Sequence, residues 1–319
     1  MTLSATLSVD AAARRRAGFL LAAAGAVLFS AKAILAKYQF RHGLDALDVM
    51  ALRMSFSLPL FALLAVRETR RAHAPLERRD AALILVLGVL GYYLSSLLDF
   101  WGLQYVPVSL ERLILFLNPT FVLLLGVFAF RRTVVRREWM ALAVSYAGVV
   151  LVFVEGLRMQ GEHLWLGSGL VLLAALAYAV YLALSGQLIQ RIGSLRLVAY
   201  AMLTSTAATL LHYLLAREPA HLFQLPAPAY GYALANAVFC TFLPVTMTMA
   251  AVARIGSSNV AQLSALGPVS LLFLGGWLLG EAVTPIQIVG TAVVLGGILL
   301  LTRPAANSVP LAAASKDET

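Results

Sequence analysis

Lys32, Arg53, Asp99, Glu111 and Arg112 are charged residues set inside long apolar runs, and Lys37 closes another such run. A charge at the centre of a membrane helix costs about 2.5–3.5 kcal/mol on insertion scales, so such residues mark ion pairs or a polar pathway. The chemistry open to this set is ionic recognition, in which cations hold a carboxylate or other anion and the acids offset part of their charge. The expected pairs are Asp99 with Arg112, across the tight turn at 103–108, and Arg53 with Glu111. That leaves Lys32 to meet a substrate anion. The competing reading places Glu111 at a helix N-terminus and lets Arg112 and Lys37 snorkel to the membrane surface. By depth, Glu111 and Arg112 belong to the rim, and Lys32 and Arg53 are the stronger site residues.

Neutral groups extend the candidate substrate site. Asn118 lies two turns from Glu111 on one helical face. Tyr181 and Gln262 supply hydrogen-bonding groups from the second half, with Tyr178, Asn236, Thr248 and Ser264 as further candidates. Pro119 and Pro268 each remove a backbone donor inside an apolar run, and both are read as hinges. No catalytic arrangement stands beside these residues. The chain has no His-Glu-x-x-His, no phosphate-cradling glycine loop with lysine, and no Ser or Cys with a base partner. The single cysteine, Cys240, lies in an apolar run. No metal or cofactor is expected, and nothing in the chain would couple it to ATP.

The elements that must position these side chains are membrane helices. The chain has 319 residues, 61% of them hydrophobic and 12% charged, with a mean hydropathy of +0.86. A soluble domain carries about 25% charged residues, so an integral membrane protein is the class that fits. A span needs about 20 apolar residues. Ten segments qualify: 17–38, 47–66, 81–103, 108–130, 137–155, 166–187, 196–215, 229–251, 257–279 and 284–302. The formal charge of +9 falls in short basic clusters between these runs, such as "RETRRAHAPLERRD", which suits lipid headgroups and gives no ground for a nucleic-acid partner. With the N-terminus inside, seventeen Lys and Arg lie on the cytoplasmic side against three on the other, so both termini are expected to be cytoplasmic. The segment before 17 has no signal-peptide form.

One ungapped offset of 149 residues lays the second half on the first, superposing all five span pairs and setting Asn118-Pro119 on Gly267-Pro268. Five spans per repeat is odd, so the second copy enters from the opposite side, as in inverted-repeat transporters. The expected fold is therefore all-α, ten transmembrane helices as two inverted five-helix repeats. The first repeat is 17–155 and the second 166–302, between a cytoplasmic tail at 1–16 and a disordered one at 303–319. The charged residues of the first repeat fall on Tyr181, Met202, Thr248, Val260 and Ala261 in the second, so the shared fold does not require them.

Ten spans in two fives, "ALR" in the second span, Lys37 eight residues after an aromatic in the first, and "GEAVTPIQIVGTAVVLGGILLL" at 280–301 resemble the EamA-type drug/metabolite transporter superfamily. The resemblance runs from about residue 17 to 302. Arg131-Arg132 stands where the first copy of Gly280-Glu281 would be, so no acidic role carries over to that half. The resemblance implies a secondary transporter of the inner membrane, without ATP, moving small organic solutes by alternating access. Export of an amino acid or related carboxylate is the expectation. The readings from other classes are a non-transporting sensor or assembly subunit and a membrane-embedded enzyme. Expected partners are the substrate, membrane lipid and, through small-residue faces such as "GGWLLG", a second copy of the chain.

Overall fold

The chain is described from a computed structural model covering residues 2–72, 75–130, 136–160, 163–255, 260, 263–264 and 266–302. Its regular elements are helices, with no strand among the described residues. In chain order they are α1 (Thr2–Arg41), α2 (Ala46–Arg71), α3 (Arg78–Leu103), α4 (Val108–Leu115), α5 (Asn118–Phe130), α6 (Arg136–Gln160), α7 (Leu164–Ile192), α8 (Ser194–Ala216), α9 (Ala227–Ile255), α10 (Leu266–Leu279) and α11 (Pro285–Thr302). Among the described residues seven helices are long and apolar enough to cross a membrane, and Trp139–Glu155, Leu266–Leu279 and Pro285–Gly297 are shorter apolar helices.

Local chemistry sets several boundaries. α2 starts at a capping box, in which Asp45 accepts from the N–H groups of Leu47 and Asp48 at 2.9 Å and Asp48 accepts from the Asp45 N–H at 3.1 Å. α10 stops at Gly280, whose φ of +70° belongs to the left-handed region that glycine enters without a Cβ clash. At the N-terminus the segment expected as a tail is helical and continuous with α1. The helix runs on from Thr2, because residues 2–16 are rich in good helix formers and contain neither Gly nor Pro. The expected tail at 303–319 lies outside the described residues.

At the first proline site a turn at Phe116 and Leu117 separates α4 from α5, which starts at Asn118, and at the second Pro268 lies in the first turn of α10. Proline is tolerated there because the first turn of a helix has no internal partner for its N–H. In the second half Gly267 N–H turns back to Ser264 O at 3.0 Å just before Pro268 in α10.

Packing couples the halves closely. α1 packs on α9, α2 on α8, α3 on α7 and α6 on α11. Close approach depends on glycine. A Cβ at Gly18 would meet Ile255 Cγ2 at 2.6 Å and Arg254 Cβ at 2.9 Å, and one at Gly167 would meet Tyr105 Cβ at 2.7 Å and Val106 Cγ1 at 2.8 Å. The offset of 149 relates these two contacts residue for residue. It also brings two π-helical turns to within two residues of register, Val89–Leu94 within α3 and Asn236–Phe242 within α9. A π turn inserts an extra residue into the ladder and re-aims the side chains around it, and both of these turns face the interior cavity.

Candidate functional site

A cavity of about 340 Å³ lies between the halves, walled by α1, α2, α3, α4, α7, α8 and α9. Lys32, Arg53, Asp99 and Arg112 line it, so three cations stand against one carboxylate. All four are at most 7% exposed. Lys32 Nζ donates to Asp99 Oδ2 at 2.5 Å. Arg112 Nη2 donates to Ser30 Oγ at 2.7 Å, and Ser30 in turn donates to Ala26 O at 2.8 Å. Arg53 Nη1 reaches Thr241 Oγ1 at 3.5 Å, in the π turn of α9. Two rings support the cations from below. Lys32 and Arg53 sit 5.1 and 5.0 Å from the centroid of Phe100, and Arg112 sits 5.0 Å from that of Phe29.

These contacts revise the expected pairs. Asp99 joins Lys32 and not Arg112, because α1 crosses α3 at this depth and brings the ammonium to the carboxylate. Lys32 is therefore not the cation left over. Arg53 meets Thr241 and not Glu111. Unspent donors remain on the guanidinium groups and an unspent acceptor on the acid: Arg53 Nε and Nη2, Arg112 Nε and Asp99 Oδ1 are buried with no partner among the described residues. Arg112, a candidate binding residue expected near the rim, is buried in the cavity lining. Glu111 is fully buried behind the wall, both its oxygens lack a hydrogen-bond partner among the described residues, and its neighbours in charge are Asp99, Lys32 and Arg112.

Among the neutral candidates, Asn118 lines the cavity and its Oδ1 is buried and unpartnered among the described residues. Tyr181 does not reach the cavity. It stands behind Tyr92 and Tyr178, its ring 5.1 and 5.4 Å from theirs, and packs on Gly91, where any Cβ would fall 2.4 Å from its Cγ. Tyr92 and Tyr178 line the cavity in its place, with Met202, Met249, Val198 and Val245 giving that side an apolar and aromatic character. Gln262 lies outside the described residues. Ser30, Thr241, Phe29 and Phe100 were not singled out in the sequence. The two phenylalanines carry a weak signal there, one turn before Lys32 and next to Asp99.

A second cluster lies where α4 begins. Glu281 Oε1 accepts from the Val108 N–H at 3.0 Å. Tyr38 Oη donates to Leu278 O at 2.5 Å, and Arg41 Nη2 to Leu279 O at 2.7 Å. Burial raises the Glu281 carboxyl above its ordinary value, against the opposing pull of the Val108 N–H and the Lys37 ammonium.

The chain matches the model of the EamA-like transporter family twice, at residues 16–154 and 165–303, so the second match begins 149 residues after the first. It is 30% identical over 283 residues to "Uncharacterized transporter YcbK" of Bacillus subtilis (strain 168), covering 86% of this chain and 89% of that protein. It is also 30% identical over 270 residues to "Probable terminal-alkyne amino-acid exporter" of Streptantibioticus cattleyicolor, covering 82% and 87%. A more distant relative, 27% identical over 61% of this chain and 67% of that protein, is "Probable amino-acid metabolite efflux pump" of Salmonella typhimurium. A solved crystal structure superposes with a TM-score of 0.60 at 16% identity, over 89% of this chain and 96% of the other, which is a likeness of fold.

Proposed function

The chain belongs to the EamA-like transporter family as a multi-pass inner-membrane transporter, and we propose that it exports a small carboxylate-bearing metabolite, an amino acid or close relative, by alternating access. One observation carries the substrate reading. The cavity wall holds Lys32, Arg53 and Arg112 against Asp99 alone, and buried guanidinium nitrogens of both arginines have no partner among the described residues. A carboxylate supplies the acceptors a guanidinium fork requires, in an enclosed site where such bonds are about twice as strong as neutral ones. Asn118 offers an acceptor for a substrate donor, and the wall of Tyr92, Tyr178 and Met202 suits an apolar substituent. The printed names of two relatives, an exporter and an efflux pump for amino-acid compounds, support both the substrate class and the outward direction.

Inverted architecture is the mechanical half of the proposal. Gly18 and Gly167 make the same contact by the offset of 149, yet Gly18 lies about 30 Å along α1 from Tyr38, at the other end of the bundle from the 104–107 turn. Two like halves facing opposite ways supply the exchange between inward and outward openings. Pro119 and Pro268 are the hinges in this reading. The three shorter apolar helices complete ten spans, and the basic loops hold both termini in the cytoplasm.

The test is flux through purified protein in proteoliposomes, with a panel of amino acids and the matching amides. Efflux of an amino acid with an apolar side chain, and little of its amide, is expected. Equal flux of acid and amide would remove the carboxylate from the reading.

A further inference from the structure

Resting on the transport reading, we infer that Glu281 is a positioning residue for the substrate-binding arginine, holding α4 in place from the opposite repeat. α4 carries Arg112 and Glu111, yet its own N-terminus has no side-chain cap: the preceding residue is Pro107, which makes no such bond. The first N–H groups of a helix have no partner inside it and are costly to bury unpaired. Glu281 answers for Val108 at 3.0 Å, from 173 residues away. A carboxylate there also complements the positive end of the helix.

The neighbourhood is built for this reach. Gly280, with φ +70°, turns the chain out of α10 so that Glu281 points back toward α4. Gly275 lets α10 approach α4 at this point, since a Cβ there would come 2.8 Å from Val108 Cγ2, while Glu281 Oε2 would stand in ordinary contact at 3.5 Å. α1 grips the same turn through Tyr38 and Arg41. Lys37 acts electrostatically on both Glu281 and Glu111, so it ties the clasp to the buried acid one turn along α4. From there Arg112 reaches Ser30 on α1, and loss of the cap frees the helix that aims it. The arrangement is one-sided. The offset of 149 puts Arg132 opposite Glu281 and Ser257 opposite Val108, and arginine has no acceptor to offer an N–H.

Full-length protein carrying Ser109→Cys, with Cys240→Ser, reports the clasp, because residue 109 is 7% exposed beside the capped N–H. Its rate of reaction with a membrane-impermeant maleimide in proteoliposomes needs no substrate, so it stands or falls apart from the transport reading. Glu281→Ala is expected to raise that rate about tenfold, the ratio one charge-assisted hydrogen bond is worth. Glu281→Gln keeps an acceptor oxygen and should label at the parent rate. Val108→Pro removes the donor at a position where a helix tolerates proline, and should show the same rise of about tenfold, which tests the inference if the alanine protein does not fold. In binding assays with the amino acid found by the panel, Glu281→Ala and Val108→Pro should weaken affinity about tenfold, and Glu281→Gln should restore it. Parent-rate labelling in Val108→Pro, or equal exposure in the glutamine and alanine proteins, would overturn the inference.

Discussion

Arg112 shows how little a residue's place in the chain says about its depth in the fold. Beside Glu111 at the head of an apolar run it reads as a rim residue of the site, yet it is 4% exposed and lines the cavity. The reason lies in α4, whose first turn is covered by Glu281 from a distant segment, an arrangement no local pattern announces. Arg53 and Arg112 hold the unpartnered donors, so Arg53→Ala and Arg112→Ala should each weaken carboxylate binding about ten- to hundredfold, as loss of a charge-assisted bond does. Lysine at either place keeps the charge without the fork and should recover only part of the affinity. Equilibrium binding of the amino acid and of its amide checks this, since the amide should be indifferent to both changes. Lys32 and Asp99 call for a different test. Removing one partner of a buried ion pair leaves a bare charge and costs about 3–5 kcal/mol, whereas replacing both with apolar residues is often close to neutral. Lys32→Met and Asp99→Leu should therefore each lower the melting temperature more than the double replacement does. Additive losses would count against a mutually dependent pair.

At the scale of elements, runs of apolar residues and proline positions were legible, and helix pairing was not. Apolar length alone marked segments that coincide with α1, α2, α3, α7, α8 and α9. The π turns in α3 and α9 leave no mark in hydropathy, because one inserted residue changes the direction of side chains and not their composition. Nor does a glycine declare which neighbour it admits. The α6–α11 contact is the clearest case: a Cβ at Gly297 would meet Ser145 Oγ at 2.2 Å and Ala141 O at 2.8 Å, and one at Gly148 would meet Gly290 O at 2.7 Å. Backbone cannot yield there as a flexible side chain would. Gly297→Val should cost about 1–3 kcal/mol by overpacking. Gly169 is a matched control, since nothing stands within 4 Å of a Cβ at that position, and Gly169→Val should leave stability unchanged. Unfolding of the two proteins in the same detergent, followed by tryptophan fluorescence, separates a packing effect from the general cost of losing a glycine.

For the whole molecule, the offset of 149 was the most informative feature of the sequence, and the two family matches fall on it. What it could not convey is asymmetry. The charged residues belong to the first repeat and the Glu281 clasp to the second, so two halves of like fold carry different chemistry, and only their meeting in space makes a site. The loops are what support the proposed orientation across the membrane. Seventeen cationic residues against three is a bias that insertion rarely overrides, and Arg67, Arg70, Arg71, Arg78 and Arg79 concentrate much of that charge in one short connection. With both termini in the cytoplasm, as proposed, the Arg112 and Glu281 end would face away from the cytoplasm and the clasp would be an outer one. Alkaline phosphatase fused after Gly43 or Leu225 should be active, and fused after Ala72, Gly193 or Arg303 should be inactive. The reverse pattern would turn the molecule over, place the clasp on the cytoplasmic face, and oblige a substrate leaving the cell to pass Glu281 before it met the arginines.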